Sequence, residues 1–258
     1  MQKTKIRILG CGSSLGVPRS DGFWGKCKKN KKNFRTRCSL YIEKGKNKIL
    51  IDASPDLRFQ LLKNNITDLN NILITHQHAD ATAGIPELRS FYFKHGKKKL
   101  RIFANNKTIN YLYKTYKYCF QENLGYKPIL VSKKIKDKVI LGKSKSEKIT
   151  IKSIQVQHGL IKSSAFIFEK FAYLSDCSKL SKNNMLHLKN LNYLIIDCFR
   201  ITKHPTHFCL SEALDAIKKL KPSKAILTNL HHELDYNFLL KILPRNVKPA
   251  YDGLKLTL

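Results

Sequence analysis

Acidic residues, tryptophan, methionine and long apolar runs are scarce in this sequence. Its 258 residues include 18 Asp and Glu against 49 Lys and Arg, with one Trp and two Met. No apolar run approaches the roughly 20 residues that span a bilayer. The apolar stretch after the basic start breaks at Gly10, too early for a secretion signal. We therefore expect an unprocessed cytoplasmic protein without a membrane partner.

Paired cysteines are also absent. The seven cysteines are scattered, odd in number and contain no CxxC pair, a pattern typical of reduced thiols in the cytoplasm rather than of a disulfide framework. With 42% hydrophobic and 10% aromatic residues, the chain can bury a sizeable core. This composition excludes a disordered or collagen-like chain.

The net charge of +31 has two interpretations. Lysines that face phosphates bind nucleic acid without regard to sequence. However, the lysines are spread along the whole chain and many adjoin asparagine, as in residues 28–33, which a Lys/Asn-rich genome would also produce. We expect a small anionic substrate, and nucleic acid is the less favoured partner.

Short β-branched runs alternate with short helical patterns, which predicts one α/β domain over residues 1–258. Strands are predicted at residues 5–9, 72–75, 193–197 and 224–228, among others. A helix is predicted over 55–64, capped by Ser54, another over 106–120, and a third over 211–220, capped by Ser211. No linker or internal repeat interrupts this pattern.

The segment after the predicted strand 72–75 is the most informative. It reads His76-Gln77-His78-Ala79-Asp80, and residues i and i+2 of an extended chain point to the same side. Two imidazoles and a carboxylate on one edge could bind a metal, because imidazole is a common ligand of zinc and also suits iron.

Other polar residues also follow apolar strands. His158 ends one predicted strand, Asp176 ends another, and His231-His232 come soon after residues 225–228. A metal site at one rim of a sheet would explain these positions together.

At this point the sequence resembles the metallo-β-lactamase family, and more narrowly its branch of phosphoribosyl cyclic phosphodiesterase-like enzymes. The resemblance covers nearly the whole chain and implies a four-layer αββα sandwich. It is carried by residues 8–14 with Gly16-Val17-Pro18, Ile51-Asp52 with 54–58, Thr75 to Asp80, Gly84-Ile85 with Leu88-Arg89, His204 to Phe208, and Tyr251-Asp252-Gly253.

The resemblance implies that His76, His78, His158 and Asp176 hold a first metal, with Asp176 bridging to a second that also uses Asp80. Two residues depart from the family pattern: Ala81 replaces the last histidine of HxHxDH, and Asn229 replaces a histidine after Thr228. Both replacements remove a histidine that would bind the second metal. The site could therefore hold one ion, or two if His231 (or His232) replaces the missing ligand, or none. Zn²⁺ is expected, with Mn²⁺ or Fe as alternatives.

Further residues have expected roles. His207, in the segment His204-Pro205-Thr206-His207-Phe208, is the candidate for donating a proton to the leaving group, and Asp80 is a second catalytic candidate. Asp52 is expected to orient a metal-bound histidine. Candidates for substrate binding are Arg58, Arg89, Ser14 and His204, since arginine suits phosphate and a glycine-bounded loop can present N–H groups.

Together these features predict a metal-dependent phosphodiesterase that cleaves a small cyclic or nucleotide-like phosphodiester with metal-activated water. One alternative is a processing endoribonuclease of the tRNA 3′-end type, and another is a metal-depleted binding module without catalysis. The family resemblance also favours a homodimer.

Overall fold

Apolar runs rich in Ile and Leu form most of the strands, as β-branched and apolar residues favour a pleated, buried surface. The computed structural model describes residues 3–142, 144–145 and 147–258. In chain order the strands are β1 (Lys5–Gly10), β2 (Ser39–Lys44), β3 (Asn47–Ile51), β4 (Asn71–Leu73), β5 (Leu100–Ala104), β6 (Leu130–Lys134), β7 (Lys138–Leu141), β8 (Ile149–His158), β9 (Ile161–Phe168), β10 (Phe171–Leu174), β11 (Tyr193–Asp197), β12 (Lys224–Thr228), β13 (Val247–Pro249) and β14 (Lys255–Thr257).

The helices are short, and most of them connect strands. They are α1 (Leu57–Lys63), α2 (Ala79–Thr82), α3 (Arg89–Lys94), α4 (Asn106–Thr115), α5 (Lys117–Phe120), α6 (Lys182–His187), α7 (Leu210–Leu220) and α8 (Tyr236–Ile242), with a 3₁₀ helix at Ile85–Leu88. Within the described residues, no helix has the length and hydropathy needed to cross a membrane.

The chain divides into two units. The first contains Met1–Leu9, Ser39–Thr150 and Lys255–Leu258, and the second contains Gly10–Cys38 and Ile151–Leu254.

The sheet of the first unit has the strand order β14-β1-β2-β3-β4-β5-β6. Strands β3 to β6 are parallel to one another, whereas β14 pairs with β1 in antiparallel register, with Lys255 opposite Arg7. Helices α1 and α4 bury Leu57, Leu61 and Leu112 in the same apolar cluster as Leu50 and Ile72. Because β3 and β4 are parallel, Asp52 and the residues after Leu73 emerge at the same end of this sheet.

In the second unit the strand order is β13-β12-β11-β10-β9-β8. Strands β8 and β9 form an antiparallel hairpin, and β10 to β13 are parallel. Helix α7 buries Ala213, Ile217 and Leu220 in the apolar cluster of this unit. Parallel strands that end together place Asp176, Asp197 and Asn229 at one end of the sheet.

Three predicted helices differ in detail from the structure. The helix expected at 55–64 begins at Leu57 after Asp56, because the Ser54 hydroxyl accepts the Asp56 N–H and so forms a turn before the helix. The helix expected at 106–120 breaks at Tyr116 into α4 and α5. Ser211 lies inside α7 and does not cap it; Cys209 is the cap, because the Glu212 carboxylate accepts its N–H.

Candidate functional site

His76 and His78 lie just beyond the end of β4 in the first unit. Their ring centroids are 4.6 Å apart in an edge-to-face arrangement. His76 is buried, whereas His78 is exposed and precedes α2. Two imidazoles at i and i+2 after a strand therefore meet, as the sequence predicts.

Thr75 links His76 to Asp52. The Thr75 hydroxyl lies 2.9 Å from Asp52 Oδ2 and 2.9 Å from His76 Nδ1. A carboxylate can only accept, so the hydroxyl donates to Asp52 and accepts the proton of His76 Nδ1. His76 Nε2 then carries the lone pair that a metal needs.

Asp52 is buried at the end of β3 with a left-handed φ of 61°. Its Oδ1 also accepts the Thr75 N–H at 2.8 Å. Asp52 therefore reaches His76 through Thr75, for which the sequence predicts no role in the site.

Asp80 and Ala81 lie in α2. Asp80 is half-buried in the first turn, and Ala81 is buried. Among the residues that the structure describes, neither Asp80 nor His231 belongs to a group of three donors close enough to share an ion.

In the second unit, His158, Asp176 and His207 come together. Each offers one donor atom, and the three atoms lie within 4.8 Å of one another. His158 is the last residue of β8, Asp176 follows β10, and His207 lies between β11 and α7. Two imidazoles and a carboxylate, of which His158 and Asp176 are buried, are a chemically suitable donor set for zinc.

The tautomer of His158 follows from its contact with Thr206. His158 Nδ1 lies 2.7 Å from the Thr206 carbonyl oxygen, which can only accept, so Nδ1 is protonated and Nε2 is left to bind a metal. The next residue, Gly159, has a φ of +57°, and a Cβ there would press against the Thr206 side chain. Glycine thus lets the hairpin approach Thr206 closely.

Asp197 orients His207. His207 Nδ1 lies 2.8 Å from Asp197 Oδ2, and Asp197 also accepts the Cys177 N–H at 2.9 Å. Burial raises the pKa of Asp197 to about 6, although the neighbouring His207 opposes the increase. Sequence reasoning identified Asp197 only as the end of a strand; the signal that could have found it is a carboxylate directly after a buried apolar run.

Asn229, at the position of the missing histidine, is part of the same network. Its amide nitrogen lies 3.1 Å from Asp197 Oδ1 and 3.0 Å from His207 Nδ1. Because His207 Nδ1 donates its proton to Asp197, the Asn229 amide donates to Asp197. Asn229 therefore helps to hold the Asp197 carboxylate in place.

Aromatic contacts surround His207. Phe199 stacks on it with centroids 4.8 Å apart, and His204 and His231 also contact Phe199. Burial, with a contribution from His232, lowers the pKa of His231 to about 4. His231 is therefore neutral near pH 7, and its Nδ1 lies 3.7 Å from Glu233.

The remaining predicted substrate-binding residues have different surroundings. Arg58 is exposed on α1 and lines a hollow with Glu87, and the Arg89 guanidinium lies 5.7 Å from the centre of the Tyr126 ring. In the second unit, Ser14 is exposed beside a buried Ser13, whose N–H lies 3.4 Å from the Leu230 carbonyl oxygen.

Comparisons with known proteins agree with this architecture. A crystal structure of a diphosphatase from the PhnP family superposes with a TM-score of 0.89 at 27% identity, covering 99% of this chain and 97% of that one. Zinc-bound PqqB from Methylobacterium extorquens has a TM-score of 0.81 at 14% identity, covering 98% of this chain and 100% of that one.

One curated relative is an octanoyltransferase of Porphyromonas gingivalis, 29% identical over 254 residues. The alignment covers 96% of this chain but 50% of that protein, so the chain spans about half the length of the curated relative it matches. The profile of the beta-lactamase superfamily domain matches residues 47–231. The chain therefore belongs to the beta-lactamase superfamily, and the predicted αββα metallo-β-lactamase fold is confirmed.

Proposed function

We propose that this chain is a metal-dependent phosphodiesterase for a small anionic phosphodiester. The observation that carries the proposal is the group of His158, Asp176 and His207, with His207 held by Asp197. The 27% identity to a PhnP-family diphosphatase supports phosphoryl chemistry. The name of the Porphyromonas gingivalis relative belongs to a protein about twice as long, and we do not extend acyl transfer to this chain.

The ligands proposed for the first ion are His76, His78, His158 and Asp176. Asp80 and His231 remain the candidates for a second ion. When bound, Zn²⁺, or Mn²⁺ or Fe in its place, supplies an acidified water and positive charge for the phosphoryl oxygens.

The protein's own groups orient these ligands. Thr75 and the Thr206 carbonyl fix the protons of His76 and His158 on Nδ1, so both Nε2 atoms are available as ligands. Wrong tautomers would place a proton where the lone pair is needed. Neither orienting contact requires the ion, so both histidines are preorganised.

His207 has two uses in this proposal. With its Nδ1 proton held by Asp197, its Nε2 can deliver a proton to the leaving oxygen, and Asp197 stabilises the imidazolium that forms when Nε2 is protonated. Alternatively, His207 is a ligand. The variant His207→Gln distinguishes these roles. If His207 is the proton donor, the variant has lower turnover and unchanged metal content. If His207 is a ligand, both turnover and metal content fall.

The test is hydrolysis of bis(p-nitrophenyl) phosphate and of cyclic nucleoside phosphates by protein supplied in turn with Zn²⁺, Mn²⁺ and Fe²⁺. We expect turnover with at least one ion and its loss in His78→Ala. His187→Ala, a half-buried histidine on α6, is the matched control and should retain full activity. Absence of turnover with every ion, or an active His78→Ala protein, would refute the proposal. Faster cleavage of a tRNA precursor would favour the endoribonuclease alternative.

A further inference from the structure

Two adjoining hollows lie at the β14-β1-β2 edge of the first sheet. One has a volume of about 360 Å³ and the other about 340 Å³. They share Arg7, Tyr41, Glu43 and Lys255, so we treat them as one feature, the β1–β14 cleft. Volumes of this order suit a small ligand.

Cations dominate the walls of the β1–β14 cleft. Six of them line it: Lys3, Lys5, Arg7, Lys48, Lys63 and Lys255. Two carboxylates, Glu43 and Asp68, also line the cleft, and Glu43 is paired with two of the six cations. Glu43 contacts Lys48 at 2.9 Å and Lys5 at 3.9 Å, and Asp68 contacts His95 at 2.6 Å.

Arg7 and Lys255 have no such partner. They are directly opposite each other in the antiparallel register of β1 and β14, so their side chains share one face of the sheet. In the part of the chain that the structure describes, neither has a carboxylate within 4.0 Å. Like charges in this position destabilise a sheet, which an anion held between them would offset.

The cleft also contains fixed hydrogen-bonding groups. The Arg7 guanidinium donates to the Asn64 carbonyl at the end of α1, which orients its planar fork. The Tyr41 side chain is buried, and its hydroxyl donates to the Glu43 carboxylate at 3.4 Å, which helps to hold Glu43 in the cleft wall. A guanidinium fork beside an ammonium group suits phosphate oxygens.

This cleft is not the histidine site. Lys48 lies near the start of β3 and Asp68 precedes β4, whereas His76 follows the end of β4. The five steps from Asn71 to His76 correspond to about 16 Å along an extended strand. The β1–β14 cleft and His76 are therefore at opposite ends of the first sheet.

We propose that the β1–β14 cleft binds a small ligand that carries several phosphate groups, such as inorganic triphosphate or a nucleoside triphosphate. Arg7 and Lys255 bind the central phosphate, and the lysines on either side bind the others. The site is independent of the phosphodiesterase proposed above and does not require it.

The test is isothermal titration of the metal-loaded protein with inorganic triphosphate, and then with ATP, at about 0.15 M salt, where diffuse electrostatic attraction is screened. Arg7→Gln and Lys255→Gln are compared with Lys133→Gln and Lys162→Gln, which remove the same charge from exposed lysines on β6 and β9. Because Arg7 also bonds α1, Lys255→Gln is the variant with less risk to folding.

We expect each cleft variant to weaken triphosphate binding roughly tenfold, and the controls and His78→Ala to change it less than twofold. Equal weakening by all four charge variants would indicate a diffuse field and overturn the proposal. Loss of binding in His78→Ala alone would place the ligand at the histidines and would also overturn the proposal. Binding of RNA but not of triphosphate or ATP would also overturn it, and tighter binding of ATP than of triphosphate would support a nucleotide ligand.

Discussion

Asp197 controls which nitrogen of His207 carries a proton. Its Oδ2 is the acceptor for His207 Nδ1, and its Oδ1 is held by the Asn229 amide. In Asp197→Asn the amide group can present a donor to a nitrogen that must itself donate, so the ring would flip or change tautomer. We expect turnover to fall by roughly 10- to 100-fold. Asp215→Asn, on an exposed position of α7, is the control, and equal rates for both variants would contradict this role.

Asp235 is a buried carboxylate whose ionisation affects the stability of the fold. It caps α8 by accepting the Phe238 N–H, and it also accepts from Lys28 N and Asn33 Nδ2. Although burial alone would raise the pKa of Asp235, these donors hold it below its ordinary value. A lowered pKa gives stability that is present above the unfolded-state value and lost as pH falls through the folded-state value.

We therefore expect Asp235→Asn to lower the free energy of unfolding by about 1–2 kcal/mol near neutral pH, because donors would face an amide NH₂ group. The difference from the wild-type protein should shrink as the pH falls below the ordinary aspartate pKa of about 3.9. Urea unfolding at neutral and acidic pH measures it. A difference that is the same at both pH values would show that the charge of Asp235 is not responsible.

At the scale of elements, Gly84 lies between α2 and the 3₁₀ helix, and neighbouring backbone atoms pass close to it. A Cβ there would lie 2.8 Å from Leu57 Cβ and 3.0 Å from the Ala53 carbonyl oxygen. Gly125 differs, because it has a φ of +79° and open space around it. We expect Gly84→Ala to cost about 3 kcal/mol through overpacking and Gly125→Ala about 1 kcal/mol through its backbone angle. Thermal unfolding of both variants measures the two costs. A larger loss of stability in Gly125→Ala than in Gly84→Ala would contradict this prediction.

The sequence predicts the strands better than the helix boundaries. Strand β11 is predicted with its observed bounds, because the apolar run of Leu194 to Ile196 follows Tyr193 and ends at the charged Asp197. Helix α7 begins one residue earlier than predicted, since its cap is Cys209, an unusual capping residue whose N–H is accepted by the Glu212 carboxylate. The break at Tyr116 has no glycine or proline to signal it.

The candidate site, too, is only partly predictable from the sequence. The pairing of His76 with His78 follows from local periodicity and is visible in the sequence. The contact between His207 and Asp197 joins residues ten positions apart on different segments, so it depends on tertiary structure. Thr75 reads as an ordinary β-branched strand residue, and its function as a link to Asp52 appears only when the ends of β3 and β4 are seen side by side.

For the whole molecule, metal content is the decisive measurement. We expect dialysis against a chelator to abolish turnover and lower the melting temperature, and zinc to restore both, since an ion at 100 times its Kd stabilises the folded state by about 2.7 kcal/mol. Elemental analysis should give about one ion per chain, because Ala81 offers no donor and Asn229 is bonded to Asp197. An unchanged melting temperature after chelation would argue for the metal-depleted module.

Histidines introduced at positions 81 and 229, where the family pattern has them, should increase the metal content. In Ala81→His with Asn229→His we expect about two ions per chain, as two imidazoles return to the second metal's shell. Ala81 is buried, so its replacement also crowds the core, and the melting temperature is measured in parallel. Ala83→His, at an exposed neighbouring position, is the control. If the folded double variant still binds one ion per chain, Ala81 and Asn229 are not what limits the metal content.

The antiparallel pair of β1 and β14 has a consequence for biosynthesis. Strand β1 is synthesised before all the other described strands and its partner β14 after all of them, so the first sheet stays incomplete until translation reaches residue 257. Until then β1 offers an unpaired edge to other nascent chains. The growing polypeptide should therefore depend on chaperones until this late closure, which also assembles the wall formed by Arg7 and Lys255.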